Sequence, residues 1–345
     1  MGVYFFLLCI LICIGITFAK PGVYFEDYIS IEKANCLKGI FIILVFFRHF
    51  GQYVDQKVSL DSYFLVIDHA LGQMIVALFL FLSGYGIMES VRKKGMDYVK
   101  KMPYHRIFKV WIHFCIALIP YLIYRLAVGK QTSLKKIVLS MLCWESLGNS
   151  NWYIMAIILS YFILYLSFLI FKEKYEKAAV LATVLTCITI AILLPFRPDR
   201  YYNTLLCVPA GVWFSLYKQR LDCFIQKSRL RYIIGFVLSV VFFLFFDVLR
   251  VITKNVVVYE LAAILFVSCI LFFARKVCLA NPVLRFCGEH VFSLYILQRL
   301  PMLFFKNVIP LSDHEYIYFA VSFLTTVLIA LLFEWVLRRL DRILF

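Results

Sequence analysis

Apolar stretches of about the length needed to cross a bilayer recur along almost the whole of this chain. Eleven windows stand out, at 3–19, 36–54, 64–88, 107–128, 152–171, 178–195, 202–217, 231–249, 256–274, 291–309 and 316–337. Roughly 20 apolar residues in a helix cross the hydrocarbon core, and lipid obliges each crossing segment to satisfy its own backbone hydrogen bonds. Composition agrees. Of 345 residues, 63% are hydrophobic and 16% charged, with a mean hydropathy of +0.89. A soluble domain is nearer to about 45–50% apolar and about 25% charged. The expected fold is therefore all-α, a polytopic membrane helical bundle. Window 202–217 is the weakest, being short and holding Pro209 and Gly211. A further apolar piece at 134–144 is too short to cross and reads as amphipathic or re-entrant.

The net charge of +16 does not point to nucleic acid, because the cations lie between apolar windows rather than on one face. Alternate loops (20–38, 89–109, 172–177, 218–231, 275–285 and 338–342) hold 24 of the 36 Lys and Arg. The opposite loops, with the adjoining helix ends, hold 11, and Arg48 lies inside a window. The positive-inside rule then puts the first set and the C-terminus in the cytoplasm and the N-terminus outside, in a multi-pass cell-membrane protein. No Lys or Arg precedes the first window and Lys20 follows it, so it is expected to be a retained helix rather than a cleaved signal. Residues 1–30 then form an extra helix and short loop, and 31–345 the membrane domain. The stretches 89–106 and 129–151 are too small to be domains. The 11 cysteines show neither a CxxC pair nor metal-ligand spacing, so no metal is expected.

The second window carries the strongest chemical signal. Asn35, Lys38, Ile42, Val45, His49, Gln52 and Gln56 follow a 3,4,3,4 spacing and share one helical stripe. Lys38 and His49 are then about 16 Å apart along the axis and within about 20° of the same face. Ionisable groups at such depth are costly and mark function, although a lone histidine also serves as a packing residue. Histidine can take a proton from a hydroxyl and return it to a leaving thiolate near neutral pH. Arg106, Lys109 and His113 share a face of the 107–128 segment; the cations there are either phosphate ligands or plain topology signals. Ser83-Gly84-Tyr85-Gly86 permits close helix packing or a cavity. His69, beside Asp68, stands at the outer end of its window. Glu145, Asn149, Asn151 and Trp152 form an outer polar and aromatic patch suited to a sugar or to interface anchoring.

These segments resemble the acyltransferase-3 family of membrane acyltransferases. The run from Lys38-Gly39 to Arg48-His49-Phe50 is similar to its opening signature, in which a basic residue, most often Arg, precedes an intramembrane His by the same interval. Residues 79–87 resemble its Phe-rich SerGly-aromatic helix, and Tyr104–Lys109 its following basic motif. Asn151-Trp152-Tyr153-Ile154 and Gly288–Gln298 resemble its later aromatic and penultimate-helix motifs. The resemblance covers ten helices, leaving the first window as an extra one. It departs where Lys38 replaces the usual Arg, where Lys109 stands for a second Arg, and where Gln298 stands for a frequent His.

The resemblance implies transfer of an acetyl or other short acyl group from cytoplasmic acetyl-coenzyme A to a hydroxyl of an extracytoplasmic, cell-surface or exported glycan. Lys38 and His49 would be catalytic. Lys38, Arg106, Lys109, Ser83 and Gly84 would hold coenzyme A, and Asn151, Trp152, Glu145 and His69 the acceptor. A transporter or flippase for a glycan or lipid-linked intermediate is the competing reading, since intramembrane charge also marks transport pathways.

Overall fold

The computed structural model describes residues 2–54, 71–311 and 314–344. Helix α1 covers Gly2–Cys13, shorter than the expected 3–19. Gly15, at φ 78°, turns the chain. Strand β1, Ile16–Phe18, then pairs antiparallel with β2, Val277–Leu279. A β carbon on Gly15 would lie 2.4 Å from the Ala280 carbonyl oxygen, so this turn requires glycine. Helix α2 spans Ile31–Phe50, opened by Ser30, whose hydroxyl accepts from the Lys33 N–H at 3.5 Å. Fourteen of the 20 residues of α2 are buried, around its whole circumference from Ala34 onward, which makes it the central helix of the bundle.

A 3₁₀ turn at Gly72–Val76 leads into α3, Ala77–Met102. A wide turn at Pro103–Phe108 joins it to α4, Lys109–Ala127. The stretch 89–106, expected as a loop, is therefore helical, apart from a break at Gly95 (φ 62°, ψ −152°). Its charged residues extend α3 beyond the apolar window that located it. Then follow α5 (Leu134–Met141), the expected short amphipathic piece, and α6 (Trp152–Phe171), α7 (Tyr175–Leu193), α8 (Cys207–Gln226), α9 (Arg229–Thr253) and α10 (Val256–Ala274). Helix α8 begins five residues later than its weak window, which places Pro209 in the first turn, where its missing N–H costs no helical bond.

The expected single span 291–309 is instead two short helices, α12 (Val291–Leu297) and α13 (Arg299–Asn307), preceded by a third, α11 (Pro282–Glu289). Pro301 cannot donate to the Leu297 carbonyl and crowds it, which breaks the helix at Gln298. The chain ends in α14, Glu315–Leu344. Among the described residues, six helical segments are long and apolar enough to cross a membrane, one of them the joined 72–127 stretch. The protein is a multi-pass membrane protein.

Two crossings without intervening side chains fix the centre of the bundle. A β carbon on Gly39 would lie 1.9 Å from the Leu284 carbonyl, and one on Gly288 would lie 1.8 Å from that of Asn35, so α2 and α11 meet backbone to backbone. Gly84 against Val208 and Gly211 against Phe81 do the same for α3 and α8.

Candidate active site

Helix α2 carries Lys38 and His49 to opposite ends of the bundle, and each lines its own cavity. The Lys38 cavity holds about 550 Å³ and is walled by α2, α3, α4, α6 and the chain around Glu289. Most of its wall is apolar or aromatic, with Lys38, Arg106, His113 and Glu289 as its charged or titratable groups. Ser83 also lines it, but its hydroxyl donates to the Phe79 carbonyl at 2.8 Å, a common way for serine to settle within a helix. Arg106 stands at the mouth, its Nε donating to the Tyr98 hydroxyl at 3.0 Å.

Two of the expected coenzyme A residues sit elsewhere. Gly84 faces Val208 at the α3–α8 crossing. Lys109 is paired with Asp341 at 2.7 Å, and the other Asp341 oxygen lies 2.8 Å from His113 Nε2, so Asp341 ties α14 to α4. Lys109 faces an adjoining opening that it shares with Arg106, Lys94 and Lys101.

The His49 cavity, about 450 Å³, has a more polar wall that includes Arg48, Gln52, Asn149, Ser150, Arg200 and Arg299. His49 is 6% exposed; its Nε2 lies 3.2 Å from Ser150 Oγ, and its Nδ1 is buried with no partner among the described residues. Arg299 NH1 donates to the same Ser150 hydroxyl at 3.4 Å. A serine oxygen has two lone pairs, so it can accept from both Arg299 and an Nε2–H. That tautomer puts the ring's basic lone pair on Nδ1.

The loop that delivers Ser150 is held by Asn151. Its amide nitrogen donates to the Cys143 and Glu145 carbonyls at 2.8 and 2.6 Å, while its oxygen accepts from the Tyr201 hydroxyl at 3.2 Å. Asn151 thus lines the cavity with its amide already committed. Trp152 lines it too, whereas Glu145 contributes a backbone carbonyl to the loop and does not line the wall. His69 and Asp68 lie outside the described residues.

Two tyrosines stand between the cavities. Tyr153 lines the Lys38 cavity, and its ring centroid is 5.1 Å from that of Tyr295. Tyr295 lies 6.0 Å from the His49 ring, fully buried, with its hydroxyl unpartnered among the described residues. Neighbouring helix residues point about 100° apart, which is how Trp152 faces one cavity while Tyr153 faces the other.

The acyltransferase-3 family, described as an acyltransferase domain, matches residues 31–335. The chain is a membrane acyltransferase of that family. The match begins at the first residue of α2 and runs through most of α14, so it includes both cavities and every described group named above except Asp341. The chain matches no curated protein and no solved structure. Membership in an acyltransferase family decides between the enzyme and the transporter readings in favour of the enzyme. Within this acyltransferase, the sequence reading gave Ser150 and Arg299 no part, and Tyr153 and Tyr295 appeared in it only inside motifs, without a role of their own. Arg299 had a usable signal, because it is a charge inside an apolar window, as Arg48 is. Ser150 had none, being one small polar residue in a polar loop.

Proposed function

We propose that this protein is an O-acyltransferase that moves an acetyl or other short acyl group from acyl-coenzyme A in the cytoplasm to a hydroxyl of a glycan outside it. The observation that carries the reading is the pair of cavities along α2, with the rings of Tyr153 and Tyr295 forming a line of contacts from the wall of one to His49 in the other. The charge bias of the loops favours the Lys38 end as cytoplasmic. There, Lys38 and Arg106 would take the donor's phosphates, and the apolar wall behind them would take its acyl-bearing arm.

The acceptor hydroxyl enters from the His49 side. Its proton passes to the imidazole as its oxygen attacks the thioester carbon. The tetrahedral intermediate then collapses with cleavage of the C–S bond, and the coenzyme A thiolate takes the proton back. Lys38 and the donor phosphates are about 16 Å from His49 along α2, so the acyl group must reach past Tyr153 and Tyr295 to react.

The test is to incubate the purified protein with radiolabelled acetyl-coenzyme A and a panel of glycans. Label should move to a glycan, with a matching release of free coenzyme A. Absence of both donor binding and transfer across the panel would overturn the reading.

A further inference from the structure

Three arginines line the His49 cavity, against Asp199 as the one carboxylate among its described lining residues. Some arginines of this chain are paired with carboxylates, among them Arg275 with Asp222, Arg250 with Asp247 and Arg285 with Glu32. Arg299 is different. Its Nε donates to the Tyr53 hydroxyl at 3.0 Å, NH2 to Gln52 Oε1 at 3.0 Å and NH1 to Ser150 at 3.4 Å, all of them neutral partners. Arg200 is also without a carboxylate partner among the described residues; Asp199 spends Oδ1 on the Arg200 backbone N–H at 2.7 Å.

Arg299 is part-buried and Arg200 exposed, so both guanidinium groups can be reached from the cavity, and positive charge gathered in a cleft favours an anionic ligand there. A guanidinium offers five N–H donors. Three of those on Arg299 are committed, which leaves one on each terminal nitrogen. A carboxylate or phosphate oxygen pair suits such a fork, because each oxygen can take one of the remaining donors.

We propose that the acceptor is an anionic glycan, whose carboxylate or phosphate is held by Arg299 and Arg200 while its hydroxyl meets His49. The assignment rests on the acyl-transfer reading for the hydroxyl's role, but the anion site stands on the arginines alone. Charge at this site would orient the acceptor, since the acid group fixes which hydroxyl of the ring lies nearest the imidazole. Asn149, whose amide nitrogen is buried and unpartnered among the described residues, lines the same cavity and offers a further donor to a sugar oxygen.

The test uses the full chain in lipid nanodiscs and two matched pairs of ligands. One pair is a uronic acid oligosaccharide and its carboxyl-reduced form; the other is a phosphorylated oligosaccharide and its dephosphorylated form. Equilibrium binding and acyl transfer are both measured. The acidic member of at least one pair should bind tenfold or more tightly, and the pair that responds identifies the group. Arg299→Gln combined with Arg200→Gln should erase that preference while coenzyme A binding is kept, and Arg299→Lys alone should retain much of it. Equal binding of both members of both pairs by the wild-type protein overturns the proposal, as does a preference that survives the double substitution. Preferential binding without any transfer would keep the anion site and sink the proposed reaction. Transfer to acidic and neutral glycans alike would do the reverse.

Discussion

The two cavities are built from the same central helix yet from different materials. At the Lys38 end, rings and aliphatic side chains form most of the wall and cations gather near the mouth; at the His49 end, amides, hydroxyls and guanidinium groups form the wall itself. An apolar sleeve with a cationic rim suits a ligand with a charged head and a long, weakly polar arm. A polar chamber suits one that is hydroxylated along its whole length. On the proposed reaction, donor and acceptor are thus told apart by wall chemistry before either reaches the imidazole.

The comparison breaks most sharply at His49. His49→Ala should lower turnover by about 10²–10⁴-fold, the usual contribution of a general base, while donor binding persists because the donor's contacts lie at the other end. Turnover of a well-folded variant within a few-fold of wild type would remove His49 from the mechanism. At the other end, Lys38→Ala with Arg106→Ala should weaken the donor at least tenfold, since each charge-assisted contact contributes about 1.5–3 kcal/mol. The acceptor dependence should be little changed, and a donor Michaelis constant equal to wild type would return both residues to a topological role.

The partition between the cavities gives a smaller effect. Tyr295→Ala should join them and let water reach the thioester, seen as faster acetyl-coenzyme A hydrolysis without any acceptor. Unchanged hydrolysis would mean that the rings do not separate the two ligands. The smallest effect is expected at Lys109. Its charge is already answered by Asp341, so Lys109→Ala should change donor affinity by less than about fivefold, the scale of a partly exposed ion pair worth about 0–1 kcal/mol. A loss as large as that of the Lys38 and Arg106 pair would place it among the phosphate ligands after all.

Most helices were legible from their long apolar windows, 291–309 excepted, where Pro301 breaks the helix. Their ends were less so: α3 continues through a charged stretch that hydropathy assigns to a loop, because Lys and Arg are good helix formers. The small residues of the Ser83–Gly86 motif allowed two readings. The structure assigns Gly84 to a helix crossing and Ser83 to a cavity wall, a division set by one residue's rotation about the axis.

The sequence by itself determined the membrane class, the approximate place of most helices and the stripe that carries Lys38 and His49, because hydropathy and the 3.6-residue period are local properties of the chain. Tertiary structure alone decided what meets His49. Ser150 comes from a loop 101 residues further along, and Arg299 lies another 149 residues beyond, just after a helix break. Those contacts depend on how far helices approach and how each is turned about its axis. Here the approach of α11 to α2 is set by Gly39 and Gly288, where any larger side chain would hold the backbones apart.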